Sequence, residues 1–180
     1  NLINQILAEH LSCVTPEMRM REIFDTAMEM LGGSLSVMQQ NSAALLTLRT
    51  ALEYKYRPTV SYKIELERVP GEFLGRLKVN IRTQSPVLME LFGEFFKYRA
   101  KIESAALARR GVGGYACQIS GNTFVRGLIN SGKLTGSQSG EAIGEYIKSL
   151  NKAVKIFFAD PQGFAEAAPQ LEMEFEGLLD

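Results

Sequence analysis

The sequence predicts an α+β fold: a single helix-rich domain, residues 1–180, with a small antiparallel sheet. Three observations carry this. Apolar residues recur at helical spacing in several stretches. Two other stretches, 59–67 and 76–82, alternate apolar and polar residues with the strand period of two. A hydrophobic fraction of 46% against 22% charged residues is that of an ordinary globular chain, long enough to bury its own core. No apolar run reaches the roughly 18 residues of a membrane span. The opening residues lack the basic-then-apolar secretory pattern, so no membrane partner is expected and the expected location is cytoplasmic.

Residues 1–58 read as a helical N-terminal part. Ile3, Ile6, Leu7 and Leu11 form one helical stripe. Thr15-Pro16 supplies a cap and a first-turn proline for a second helix, whose buried face is Met20, Ile23, Phe24, Ala27 and Leu31 and whose stop is Gly32-Gly33. A third helix is expected from Ser34 or Asn41 to Tyr56, with Leu45, Leu48 and Leu52 in register and Pro58 as its end. The methionines of this region read as core filling.

Residues 59–110 read as a hairpin and a long helix. In the first strand Val60, Tyr62, Ile64 and Leu66 face one way and Ser61, Lys63, Glu65 and Glu67 the other. Pro70-Gly71 turns the chain into the second strand, where Leu77, Val79 and Ile81 alternate with Arg76, Lys78, Asn80 and Arg82. Ser85-Pro86 then opens a helix to about Arg110, with Leu88, Leu91, Phe92, Phe95, Ile102 and Leu107 on one face.

Residues 111–140 read as Gly-rich loops with a short helix near 122–129. Residues 141–158 form a helix with an apolar line (Ile143, Ile147, Leu150, Val154, Phe157) and a lysine stripe (Lys148, Lys152, Lys155). Residues 159–180 form an acidic tail in which Leu171 to Glu176 alternates like a strand.

Motifs for enzyme chemistry are sparse. Cys13, Cys117 and His10 make too few Cys and His ligands for a structural zinc site, and the two thiols read as reduced. Gly127 to Lys133 nearly fits a phosphate loop, but Leu134 replaces the hydroxyl that would hold magnesium, and no helix is expected to follow. Gly111-Val112-Gly113-Gly114 lacks the third glycine of a dinucleotide fingerprint. The expectation is a protein without cofactor, metal or catalytic residues.

Charge is unevenly spread. Residues 1–54 carry 3 basic and 6 acidic side chains, residues 55–156 carry 17 and 8, and residues 157–180 carry 0 and 6. A basic middle with interleaved tyrosines suits nucleic acid. Arg76, Lys78, Asn80 and Arg82 are residue types that can read base edges. This strand and the helix after it, residues 76–110, resemble the ribbon-helix-helix DNA-binding regulators. That resemblance implies a homodimer whose paired strands enter the major groove of double-stranded DNA. It makes Arg76, Lys78, Asn80 and Arg82 the base readers and Ser85 the start of a phosphate-gripping helix. Lys97, Lys101, Lys148, Lys152 and Lys155 are further phosphate candidates. The alternative is a non-enzymatic structural or adaptor module that assembles with a protein partner by strand or helix addition, with Leu171 to Glu176 as the strand that would be added. The same acidic segment could instead pair with the basic strand of its own chain, or mask it until DNA displaces it.

Overall fold

The computed structural model describes residues 2–10, 14–38 and 42–180. Its centre is the hairpin that alternation predicts. Thr59–Leu66 (β3) and Phe73–Arg82 (β4) pair antiparallel, with Val60 opposite Ile81, Tyr62 opposite Val79 and Ile64 opposite Leu77. All six of these side chains are fully buried. Leu45–Ala51 (β2) pairs with the outer edge of β3, and Thr123–Ile129 (β6) with the far edge of β4. Ser36–Val37 (β1) and Cys117–Ser120 (β5) close the two sides. The sheet is therefore six-stranded and antiparallel, in the order β1-β2-β3-β4-β6-β5.

The helices are Leu2–His10 (α1), Pro16–Leu31 (α2), Pro86–Arg109 (α3), Gly136–Ala159 (α4) and Phe164–Gly177 (α5). In α2 the Thr15 hydroxyl accepts from the Met18 amide at 3.1 Å, and Gly32, at φ 54°, ends the helix in the left-handed region that a glycine tolerates. Its buried face is the predicted set Met20, Ile23, Phe24, Ala27 and Leu31. Helix α3 is capped by Ser85 and runs unbroken through Gly93. In α1, Leu2, Ile6 and Leu7 are exposed; Leu11, the last residue of its predicted stripe, lies outside the described residues.

Helices α2 to α5 share one core with the inner face of the sheet. Phe96 of α3 stacks on Phe124 of β6 at 4.4 Å between ring centres, and Phe95 meets Phe157 of α4 at 5.3 Å. The buried Tyr62 hydroxyl donates to Asn151 Oδ1 at 3.1 Å, which satisfies both polar groups inside the core. Helices α2 and α4 approach most closely where α4 carries Gly140 and Gly144. A methyl group at Gly140 would lie 2.7 Å from Cβ of Thr26 and against the carbonyl oxygen of Ile23.

Several expectations are corrected. The third helix does not form: β1 and β2 occupy that region, because Leu46 and Leu48 point into the core and Thr47 and Arg49 out of it, so period two wins over the helical spacing of Leu45, Leu48 and Leu52. The short helix near 122–129 is strand β6, whose inward residues are Phe124, Arg126 and Leu128. The Gly-rich region thus holds β5, β6 and the start of α4, with loops at 111–116 and 130–135. A helix does follow the Gly127–Lys133 stretch, since Thr135 and Gln138 form a reciprocal capping box that starts α4 at Gly136.

Leu171 to Glu176 is helical, within α5, and Leu171 and Phe175, four residues apart, are its buried side. No strand forms there to pair with β4. The acidic tail instead meets cations of the helices: Glu176 with Arg109, Asp180 with Arg110 at 2.5 Å and Glu174 with Lys152 at 2.8 Å. The basic strand also has no free edge, because β3 and β6 flank it within the chain. An intermolecular ribbon of two β4 strands cannot form in this arrangement.

Gly140→Ala is expected to lower stability by about 1–3 kcal/mol, since the backbone of α2 must move to admit the methyl group. Gly93→Ala, with open space around it, is expected to be neutral or to stabilise α3 by up to about 1 kcal/mol. Urea unfolding of the two variants checks the contrast.

Candidate nucleic-acid interface

The buried side chains of the sheet point toward helices α2 to α5, and among the described residues its other face carries exposed side chains at Arg49, Arg76, Lys78 and Arg82. Strand alternation places Arg49, Lys63, Arg76, Lys78 and Arg82 on this face. Across the strands, register lines up Arg49, Ser61, Asn80 and Thr123 in one row, and Thr47, Lys63, Lys78 and Val125 in the next. A third row holds Glu65, Arg76 and Gly127. Successive outward residues along β4 stand about 6.8 Å apart, twice the strand rise.

The electrostatics of this face are lopsided. Glu65 accepts from Arg76 Nε at 2.6 Å and from Lys63 Nζ at 2.9 Å, and these two contacts, Lys63 first, hold its carboxyl below the usual carboxylate range. Glu67 lies just beyond the end of β3 at the same end of the face. Arg49, Lys78 and Arg82 are exposed and, among the described residues, have no ion-pair partner. Lys78 lies directly opposite Lys63, an arrangement of like charges that an anionic ligand would relieve.

The residues predicted to bind DNA divide into two groups. Arg76, Lys78 and Arg82 share the open face. Asn80 is half-buried and committed elsewhere: its amide nitrogen donates to Asn122 O at 3.2 Å and Thr123 Oγ1 at 2.9 Å, while Asn122 returns a bond to Ile81 O at 3.1 Å. It clamps the β5–β6 turn and is not free to read a base. Ser85 spends its hydroxyl on the Leu88 amide. Lys97 and Lys101 on α3, and Lys148, Lys152 and Lys155 on α4, belong to the helical layer on the other side of the sheet. Lys152 is paired with Glu174 there. One ligand cannot bridge the two groups without wrapping the domain.

The most organised polar structure lies inside, where the sequence reading placed nothing. Glu103 of α3 is fully buried and accepts four hydrogen bonds. Oε1 takes Arg99 Nε at 2.6 Å and the Tyr146 hydroxyl at 2.9 Å; Oε2 takes Arg126 Nη1 at 2.5 Å and the Tyr115 hydroxyl at 3.1 Å. The Arg99 guanidinium lies 4.4 Å from the Phe175 ring centre and that of Arg126 4.7 Å from Tyr146. Burial, and then the Glu103 carboxylate, push the Tyr115 hydroxyl far above its ordinary range; burial does the same to Tyr146 against the pull of Arg126. Both phenols therefore stay neutral donors. Burial opposes the charge of Arg126, but the Glu103 carboxylate beside it outweighs that and keeps the guanidinium protonated.

A signal for this cluster exists in the sequence. Arg99 and Glu103 continue the buried stripe of Leu88, Phe92 and Phe96, and Arg126 stands between Phe124 and Leu128 on the inward side of β6. Charges at core positions need partners.

Among the described residues no group of three or more His, Cys, Asp or Glu side chains could hold a metal ion. Cys117 is a free, exposed thiol on β5. No described helix is long and apolar enough to cross a membrane. No family model, curated protein or solved structure matches the chain.

Glu103→Leu is expected to cost about 3–5 kcal/mol, because it strands two buried guanidiniums. Tyr115→Phe removes one of four donors and is expected to cost only about 1 kcal/mol. Urea midpoints with unchanged slope would report this ordering.

Proposed function

We propose that this chain is a non-catalytic nucleic-acid-binding protein that lays the open face of its sheet along the phosphates of double-stranded DNA. The observation that carries the reading is the exposed trio Arg49, Lys78 and Arg82, without carboxylate partners among the described residues, beside Lys63 and Arg76, which share Glu65. The helical layer holds the acidic tail on its own cations, so that tail does not neutralise this face.

The mode of contact follows from size. Six strands at about 4.8 Å spacing span roughly 24 Å, whereas the major groove is about 12 Å wide and admits two strands. The face therefore meets phosphates instead of base edges. Binding of this kind is tolerant of sequence and strongly dependent on salt.

The test is the affinity for a mixed-sequence duplex across a salt series. Replacing Arg49, Lys78 and Arg82 together by alanine is expected to weaken binding and to reduce the log-log salt slope by about 3, near 0.9 for each lost phosphate contact. An unchanged slope in the triple variant would sink the reading. Glu65→Gln is expected to tighten binding, because it frees Lys63 and Arg76 and removes a repelling carboxylate. The gain should fade at high salt, as an exposed electrostatic effect must.

The adaptor reading keeps one supporting observation. Strand β5 lies at the edge of the sheet with Cys117, Gln118 and Ser120 exposed. A protein partner would then add a strand at β5 instead of using residues 171–176. Binding that ignores both salt and the triple substitution would favour it.

A further inference from the structure

A cavity of about 290 Å³ opens between the end of β6, the first half of α4 and the C-terminal ends of α3 and α5. Leu74, Leu107, Leu128, Ile143 and Phe175 form its walls, all of them buried in the fold. Val112, Leu134 and Leu178 stand partly exposed at its mouth. Arg126, only 8% exposed, also lines it. The volume is near the lower end of that of small-molecule sites, and an apolar lining with few polar groups is their usual character.

Within the buried cluster that adjoins this cavity, the charge count does not close. Two guanidiniums, Arg99 and Arg126, share the one carboxylate of Glu103, while the tyrosines around it are neutral. Arg99 Nη2 is buried with no hydrogen-bond partner. Arg126 donates through Nε to Gly127 O and through Nη1 to Glu103, and its guanidinium also meets the Tyr146 hydroxyl. Ring faces compensate part of the excess charge. A second carboxylate would bring it to zero.

We propose that this cavity binds an aliphatic carboxylate, with its chain against the leucine, isoleucine and phenylalanine walls and its head group on Arg126. A guanidinium can hold such a head group through a charge-assisted hydrogen bond in a site largely screened from water. A peptide segment fits less well, because its backbone amides would need partners that the apolar walls do not offer. Glu145 also lines the cavity but is exposed on α4, so its carboxylate stays hydrated and does not neutralise the buried guanidiniums, while it disfavours a second anionic group on the ligand.

The experiment is calorimetric titration of the full chain with decanoate and, separately, with decanol, which has the same chain without the charge. Decanoate is expected to bind about tenfold or more tightly than decanol. Ala142→Trp, placed on the α4 wall away from the charge cluster, is expected to abolish binding of both. Arg126→Gln is expected to reduce decanoate to the level of decanol. If that variant does not fold, the comparison of the two ligands and Ala142→Trp still decide the matter. Equal affinities, binding that survives Ala142→Trp, or no binding of decanoate would each overturn the proposal. The alanine triple variant of the sheet face is expected to bind decanoate as the parent does. Loss of binding in it would place the ligand on the open face and overturn the cavity site, so this result is separable from the DNA reading.

Discussion

The Glu103 carboxylate is the interaction on which one end of the molecule depends. It sits where α3, β6, α4 and the loop before β5 meet. Its four acceptor positions are filled by Arg99, Arg126, Tyr115 and Tyr146, one from each of those segments or from its own helix. Hydrogen bonds are directional where apolar contacts are not, so the carboxylate sets the orientation of the segments as well as their proximity. It also explains how two arginines are tolerated in a core. Each has a bond to the same anion and an aromatic face beside it, which offsets much of the cost of taking a charge out of water.

The second organising fact is that helices α2 to α5 pack on one side of the sheet. A strand in a one-sided layer must present apolar residues inward and polar residues outward, and β3 and β4 do so without exception over their paired length. The consequence is a division of labour by face. The inner face makes the core and, where charge enters it, the Glu103 cluster and the neighbouring cavity. The outer face carries Arg49, Lys78 and Arg82, cations without a carboxylate partner among the described residues. The acidic tail, which could have neutralised them, packs as α5 against α3 and α4 on the far side.

How far all this was legible in the sequence varies by element, for reasons that can be named. Helix α2 was readable because cap, proline, apolar stripe and terminal glycine are local signals that agree with one another. The β3–β4 hairpin was readable because eight or so alternating residues leave no helical alternative. Region 36–52 misled because leucines at positions 45, 48 and 52 fit a helix while those at 46 and 48 fit a strand, and only pairing with β3 separates the two. Segment 171–176 misled in the opposite direction: its alternation is a genuine pattern, but Leu171 and Phe175 also lie four apart, and a helix packed against Tyr98 of α3 and Tyr146 of α4 buries both.

What the sequence determined by itself is therefore the α+β class, the helix ends that are capped by their own residues, the central hairpin, and the identity of the residues that alternate out of it. Those are consequences of backbone preference and of the periods of 3.6 and 2, which act over a few residues. The tertiary structure decided the neighbours. It placed β4 inside the sheet instead of at an edge, tied Asn80 to a turn 42 residues away in the chain, split the basic residues between two layers, and brought Arg99, Glu103 and Arg126 together. Such pairings depend on which distant segments share a core, and hydrogen bonding and burial choose among them only when the whole chain is packed.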